Sequence, residues 1–222
     1  MPNEFVSVTL IAIDYLSVVV FAISGALAAA EKKLDVIGCI WLAAVTGIGG
    51  GTMRDLLLGQ PVFWVHEPNY LFLASGAAVL IYFLAHIPAG SRQALIWADA
   101  VGLAFVSVAG ASKALSVGAP PSIAVLMGVI TGVFGGIVRD LLVQEPSVLV
   151  KKELYITASL AGAVSFVLAY RIGAGHAAAA LIGIALGFGV RAGAILFGWR
   201  LPNARLRAGS GHENTPSDPS RP

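Results

Sequence analysis

Eight charged residues stand inside long apolar stretches: Asp14, Arg54, Asp55, Asp99, Lys113, Arg139, Asp140 and Arg191. A charge at the centre of a bilayer costs on the order of 3 kcal/mol on insertion scales, so residues of this kind are functional suspects by default. Their chemistry is not that of a hydrolase or transferase. No Ser-His-Asp or Cys-His set can be assembled, because His66, His86, His176 and His212 fall in loops, at segment ends or near the C-terminus and read as interfacial or solvated. The single cysteine, Cys39, cannot form an internal disulfide and reads as a small apolar helix residue; no Cys/His cluster has metal-ligand spacing, so neither metal nor cofactor is expected. Acids and bases in apolar surroundings can instead contact a passing charged solute or clip neighbouring helices together.

Two glycine clusters stand just before the two Arg-Asp pairs: Gly47-Ile48-Gly49-Gly50-Gly51 and Gly132-Val133-Phe134-Gly135-Gly136. Each glycine lowers helix stability by roughly 1 kcal/mol relative to alanine. In hydrocarbon a broken helix persists only where its freed backbone groups find protein, water or an ion. One reading is that the helices bend beside a water-filled path, where Thr46, Thr131 and freed carbonyls replace the hydration of a cation. The other is close helix packing through small residues, which accounts for Gly183, Gly187, Gly189 and Gly193. Neither cluster is a nucleotide loop, since the Gly-Lys-Ser/Thr of a P-loop is missing.

The elements that must position these residues follow from composition. Of 222 residues, 57% are hydrophobic and 12% charged, and mean hydropathy is +0.84. Soluble domains carry about 25% charged residues, so a soluble globular fold is excluded. Net charge is +2, with 14 Lys and Arg scattered singly or in pairs, which leaves no basic surface for nucleic acid. A span needs roughly 20 apolar residues. Charges, prolines and loop dipeptides divide the chain into seven: Phe5 to Ala30, Val36 to Leu58, Asn69 to Ile87, Gln93 to Leu115, Pro121 to Val143, Glu153 to Tyr170 and Gly175 to Trp199. The first run is too long for a signal peptide and reads as a retained span. Trp41, Trp64, Trp97 and Trp199 lie mostly near span ends, as interfacial anchors do. Beyond Leu201 the composition turns polar and Pro-rich, the signature of a disordered tail over 202–222.

Seven spans put the termini on opposite sides. Lys32, Lys33, Arg92, Arg139, Lys151, Lys152, Arg200, Arg205, Arg207 and Arg221 fall on the C-terminal side, against Arg54, Lys113 and Arg171 on the other. The positive-inside rule then places the N-terminus outside and the C-terminus in the cytoplasm, in a multi-pass inner (plasma) membrane protein among lipids.

A gapless shift of 85 residues aligns Asp14 with Asp99, Gly25 with Gly110, Thr46-Gly47 with Thr131-Gly132 and Gly50-Gly51 with Gly135-Gly136. It continues through Arg54-Asp55-Leu56-Leu57 on Arg139-Asp140-Leu141-Leu142, Pro61 on Pro146 and Tyr70 on Tyr155. Each unit holds three spans, an odd number, so the second copy is inverted. The expected organisation is an all-α membrane protein of two inverted three-helix repeats, 1–87 and 88–172, followed by a seventh helix over 173–201. Such repeats commonly build a solute path at their interface.

Depth follows from a rise of about 1.5 Å per residue. Asp14 lies roughly 14 Å into its span from the outer side and Arg54 and Asp55 lie close to the outer end of theirs, so Asp14 can pair with Arg54 and, by the repeat, Asp99 with Arg139. Asp99, Arg139 and Asp140 form the matching inner group. Arg191 belongs to the inner layer and competes with Arg139 for Asp99 or Asp140; Lys113 joins the outer layer and has Ala28 at its repeat position. Each layer sums to zero charge, so charge alone announces no selectivity.

The segments Gly-Gly-Gly-Thr-Met-Arg-Asp-Leu-Leu-Leu-Gly (Gly49 to Gly59) and Gly-Gly-Ile-Val-Arg-Asp-Leu-Leu (Gly135 to Leu142), in a three-plus-three-plus-one chain, resemble the prokaryotic TRIC family, the trimeric intracellular cation channels. The resemblance covers the chain up to Leu201. It implies a homotrimer with a potassium-permeable pore in each protomer, lined in part by helices kinked at Gly49, Gly50, Gly51, Gly135 and Gly136. Potassium would be the permeant monovalent cation. Where that pattern has a third glycine in span five this chain has Phe134, a candidate apolar constriction, and Lys113 alone matches the basic voltage-sensing feature of the animal channels. Bulky residues at Gly50 or Gly135 should then suppress permeation in an intact trimer. Bacterial relatives also carry a glycine-transporter label, so secondary transport of a small amino acid is the alternative function; a structural membrane scaffold, the third, predicts neither current nor uptake.

Overall fold

The computed structural model describes residues 2–84, 91–146 and 154–199. All of the regular structure there is helical: α1 (Pro2–Glu31), α2 (Val36–Leu57), α3 (Phe63–His66), α4 (Asn69–Leu84), α5 (Ser91–Ser116), α6 (Pro121–Leu142), α7 (Tyr155–Arg171) and α8 (His176–Phe197). Asp35 starts α2 by accepting a hydrogen bond from the Gly38 amide at 2.7 Å, and Pro121 starts α6 from the first-turn position proline favours. Both helices stop on a left-handed residue two places past their ends, Gly59 at φ +62° and Gln144 at φ +55°. The stop is the same in both, although only one of the two residues is glycine.

Among the described residues, five helices are long and apolar enough to cross a membrane: α1, α2, α5, α6 and α8. The other two expected spans appear as shorter apolar helices of 16 and 17 residues, α4 and α7. The expected ends at Ile87 and Glu153 lie outside the described residues, as do His86, His212 and the 202–222 tail.

The distribution of polar groups differs from that of a soluble protein. The outside carries exposed Ile37, Trp41, Phe72, Phe83, Leu141, Leu181 and Phe197, while Ser17, Ser24, Thr46, Ser107, Thr131, Ser159 and six of the eight intramembrane charges are buried. An apolar exterior around an interior that holds the charged side chains among small apolar ones suits a chain whose solvent is lipid. Inside the bundle α1 packs on α5, α2 and α4; α5 packs on α6, α7 and α8; and α2 crosses α6. Cys39 is buried in α2, as expected of a small helix residue.

Three sequence expectations are corrected here. Residues 63–66, expected as part of a loop, form a one-turn helix, and Trp64 tethers it by donating from Nε1 to Thr52 Oγ1 at 2.9 Å. His176 is half-buried rather than solvated; its Nε2 is 2.6 Å from Ser112 Oγ, and its ring sits edge-on to Phe166 and Tyr170. In α8, Gly183 and Gly187 do pack against Gly162 of α7 and Gly193 against Trp199, but a side chain on Gly189 would meet nothing within 4 Å. Gly189 is therefore not explained by helix packing within the described residues of one protomer.

Candidate functional site

The two glycine clusters meet where α2 crosses α6, and they meet backbone to backbone. A Cβ on Gly50 would overlap the carbonyl oxygen of Thr131, and a Cβ on Gly135 would lie 2.6 Å from the carbonyl oxygen of Thr46. Position 135 is 50 shifted by 85 and 131 is 46 shifted by 85, so the two contacts exchange under the sequence register. The same holds one layer out. A Cβ on Gly25 would lie 2.7 Å from Thr46 Oγ1, and one on Gly110 would lie 2.5 Å from Thr131 Oγ1.

This geometry changes the reading of the glycines. Both α2 and α6 run through their clusters as continuous helices, so no break frees carbonyls at Gly47 to Gly51 or at Gly132 to Gly136. The glycines remove side chains that would hold the helices apart: Gly51 faces the Phe63 ring, Gly136 the Tyr155 hydroxyl, and Gly49 has its nearest neighbour, the Gly135 Cα, at 4.0 Å. Thr46 and Thr131 are buried, and each hydroxyl donates to its own helix, to Leu42 O at 2.6 Å and Met127 O at 2.5 Å. Their donors are therefore satisfied without a solute. Phe134 is half-buried on α6.

One turn beyond each crossing stands a charge cluster. In the second cluster Arg139 Nη1 lies 2.6 Å from Asp99 Oδ1, and Nε and Nη2 donate to Asp140 Oδ1 at 3.0 and 2.8 Å. Arg139 also donates to Ser24 Oγ from α1, and the Tyr155 hydroxyl donates to Asp99 at 3.4 Å. The Arg191 guanidinium lies over the Tyr155 ring, 5.1 Å from its centroid, which places Arg191 in this layer as the sequence suggested. Beside the cluster is a cavity of about 80 Å³ lined by Glu31, Lys32, Asp99, Arg139, Asp140 and Arg191 among others, room for several waters. Lys32 and Glu145, both also in its lining, form an ion pair across it at 2.6 Å.

In the first cluster Arg54 Nε donates to Asp55 Oδ1 at 2.8 Å, while Nη1 stands 3.7 Å from Asp14. Asp55 also accepts from the Phe63 amide at 3.0 Å, and Phe63 puts its ring under the Arg54 guanidinium, 5.7 Å away. Lys113, half-buried at the end of α5, is within electrostatic reach of Asp14. Tyr70 stacks on Tyr15 with ring centroids 4.1 Å apart. The expected pairs, Asp14 with Arg54 and Asp99 with Arg139, are thus both formed. Sequence reasoning passed over Ser24, Phe63 and the two tyrosines; the Tyr70/Tyr155 match in the 85-residue register was the available signal for the last pair.

Chemically the clusters are charge stores, in which arginines and carboxylates hold one another. Among the described residues no group of three or more His, Cys, Asp or Glu is placed to hold a metal ion. Removing the Ser24 hydroxyl tests the second cluster gently. A hydrogen bond to a charged group contributes about 1.5–3 kcal/mol, so Ser24→Ala should lower the melting temperature of the detergent-solubilised protein by several degrees without abolishing folding. Ala109, its register equivalent, has no such bond for a substitution to remove.

The fold that carries these clusters has counterparts among known proteins. A solved TRIC channel orthologue from Rhodobacter sphaeroides is 47% identical, with a TM-score of 0.83 over 86% of this chain and 99% of that one. The chain belongs to the prokaryotic TRIC family. A second solved prokaryotic TRIC channel is 30% identical with a TM-score of 0.81, over 88% of this chain and 100% of that one. The family model described as "Glycine transporter" matches twice, at residues 11–86 and 96–171. Among relatives known by sequence, a membrane protein of Vibrio cholerae is 39% identical over 87% of this chain and 82% of its own length. The inner membrane protein YadS of Escherichia coli is 38% identical over 87% and 95%. This TRIC-family chain is an all-helical, multi-pass membrane protein, and its kinship is with channels and membrane proteins, not with enzymes.

Proposed function

We propose that this TRIC-family protein is a homotrimeric, potassium-permeable channel for monovalent cations, with one pore in each protomer beside the α2–α6 crossing. The observation that carries the reading is the pair of buried Arg-Asp clusters flanking that crossing in a chain 47% identical to a solved TRIC cation channel. Seven spans form it: α1, α2 and α4 as one unit over 1–87, α5, α6 and α7 as a second and inverted unit over 88–172, and α8 over 173–201. The exchange of the Gly50–Thr131 and Gly135–Thr46 contacts under an 85-residue shift, and the family model's two matches, support that division. Three subunits assemble, as the name of the Rhodobacter orthologue says of that protein. With the N-terminus outside and the C-terminus in the cytoplasm, the Asp14 cluster lies toward the outside and the Asp99 cluster, with its cavity, toward the cytoplasm.

In this reading the cation passes alongside the crossing rather than through a break in either helix. The glycines bring α2 and α6 together, and the arginine clusters fix their ends. Phe134, half-buried on α6, is the apolar constriction. Purified protein in a planar bilayer under symmetric KCl should give unitary currents and no saturable glycine uptake in vesicles. Uptake without unitary current would sink the channel and establish the glycine transporter suggested by the family description.

A further inference from the structure

The repeat symmetry breaks at one end of the bundle. Helices α1, α2, α5 and α6 all stop on a left-handed residue two places past their ends: Lys33, Gly59, Gly118 and Gln144. In the register Lys33 matches Gly118 and Gln144 matches Gly59, so the stops beside the first cluster use glycine and those beside the second do not. Side chains disfavour that backbone region, and residues held in it persist where neighbouring contacts fix them. Here a contact joins the two turns to each other. Lys32 Nζ, one residue before Lys33, lies 2.6 Å from Oε1 of Glu145, one residue after Gln144. Their register equivalents, Val117 and Gln60, have no charges to pair.

The pair stands at the rim of the cavity beside the second cluster. Lys32 and Glu145 are 38% and 32% exposed, whereas Asp99 and Arg139, which line the same cavity, are each 3% exposed. Lys32 follows α1 and Glu145 follows α6, so the bond ties one repeat to the other across the opening. An exposed ion pair contributes little to stability, and salt screens it. Such a contact opens readily.

We infer that Lys32 and Glu145 form a releasable, salt-sensitive latch over this cavity, which gates the entry of cations from water to the buried Asp99–Arg139 cluster. The inference rests on the channel reading above for its electrical consequence, while the latch itself is a contact between two helix ends. It is one-sided, because the register supplies no equivalent pair at the other end.

The test is the rate at which trimethylammonioethyl methanethiosulfonate, a water-soluble cation, labels Ile96→Cys in the cavity wall of a Cys39→Ala background, read by intact mass. Lys32→Gln and Glu145→Gln should each raise the rate by about two- to fivefold, the range an exposed pair can supply. Exchanging the charges, Lys32→Glu with Glu145→Lys, should bring it back. Added salt should speed labelling more with the pair intact than in either single variant. The two neutralisations change local charge in opposite senses, so a plain electrostatic effect on the reagent would speed one and slow the other. That result, or no change in either, overturns the latch. If Ile96→Cys does not fold, Leu95→Cys in the same wall replaces it. In planar bilayers both single variants should raise the open probability of unitary currents by a similar factor, and faster labelling with unchanged open probability would overturn the gating role. Faster labelling in a protein that gives no unitary current would support the latch and overturn the channel reading.

Discussion

Gly50→Ala should prevent assembly of a stable bundle, while Gly49→Ala, one residue away, should leave stability unchanged or raise it. The new methyl at position 50 points into the Thr131 carbonyl oxygen, a backbone atom of a helix that itself packs on α5 and α7. No side chain is available to swing aside, so α2 and α6 must separate along their whole contact. Overpacking a well-filled interior typically costs about 1–3 kcal/mol, and a clash with rigid backbone belongs at or above the top of that range. At position 49 the nearest foreign atom is 4.0 Å away, ordinary contact distance, and replacing a mid-helix glycine by alanine gains up to about 1 kcal/mol of helix propensity. Thermal melting of the detergent-solubilised protein, read by size-exclusion chromatography, checks both. Gly135→Ala should behave like Gly50→Ala, because its methyl would meet the Thr46 carbonyl at 2.6 Å. The sequence alone suggests a blocked pore in an intact trimer for bulky residues here. The structure predicts loss of the bundle, and equal melting of Gly49→Ala and Gly50→Ala would refute it.

That difference shows where the sequence was legible. The spacing of Asp14, Arg54, Asp99 and Arg139 was enough to pair them correctly, because depth along a helix is set by a fixed rise and repeat symmetry does the rest. Glycine content, by contrast, is ambiguous between a helix that bends and a helix that is approached, since both need a missing side chain. Only the position of Thr131 O relative to Gly50 decides between them, and that is a property of two helices far apart in the chain. The one-turn helix at Phe63–His66 was illegible for a related reason. Its order comes from Asp55 and Thr52, which bind the Phe63 amide and the Trp64 ring from outside the segment. The unequal closure of the two clusters was hidden in plain sight: Ser24 and Ala109 break the register, but a serine in a membrane helix announces no partner until Arg139 is seen beside it.

Arg139→Met should be the most damaging of the charge substitutions, well beyond Arg54→Met. Removing the guanidinium takes from Asp99 and Asp140, whose side chains are 3% and 4% exposed, the cation that pairs with both, and only the small cavity beside them admits water in its place. Deleting one partner of a buried ion pair costs about 3–5 kcal/mol, because the remaining charge has been taken out of water without compensation. Here two carboxylates are left, 40 and 1 residues away in sequence, on α5 and α6, so the damage spreads to the contact between those helices. Arg54→Met is milder: Asp55 keeps the Phe63 amide, and Asp14 is already partly exposed. The discriminating experiment is a neutralising rescue. If the arginine matters because it compensates buried charge, the triple variant Arg139→Met with Asp99→Asn and Asp140→Asn should recover a large part of the lost melting temperature, since buried ion pairs replaced as a unit are often nearly neutral in stability. If Arg139 instead matters mainly for its packing volume or for its bond to Ser24, the triple variant should melt no higher than Arg139→Met alone. Arg191, held over Tyr155 in the same cavity wall, is a buried cation of the same layer, so adding Arg191→Met to Arg139→Met should deepen the loss rather than leave it unchanged.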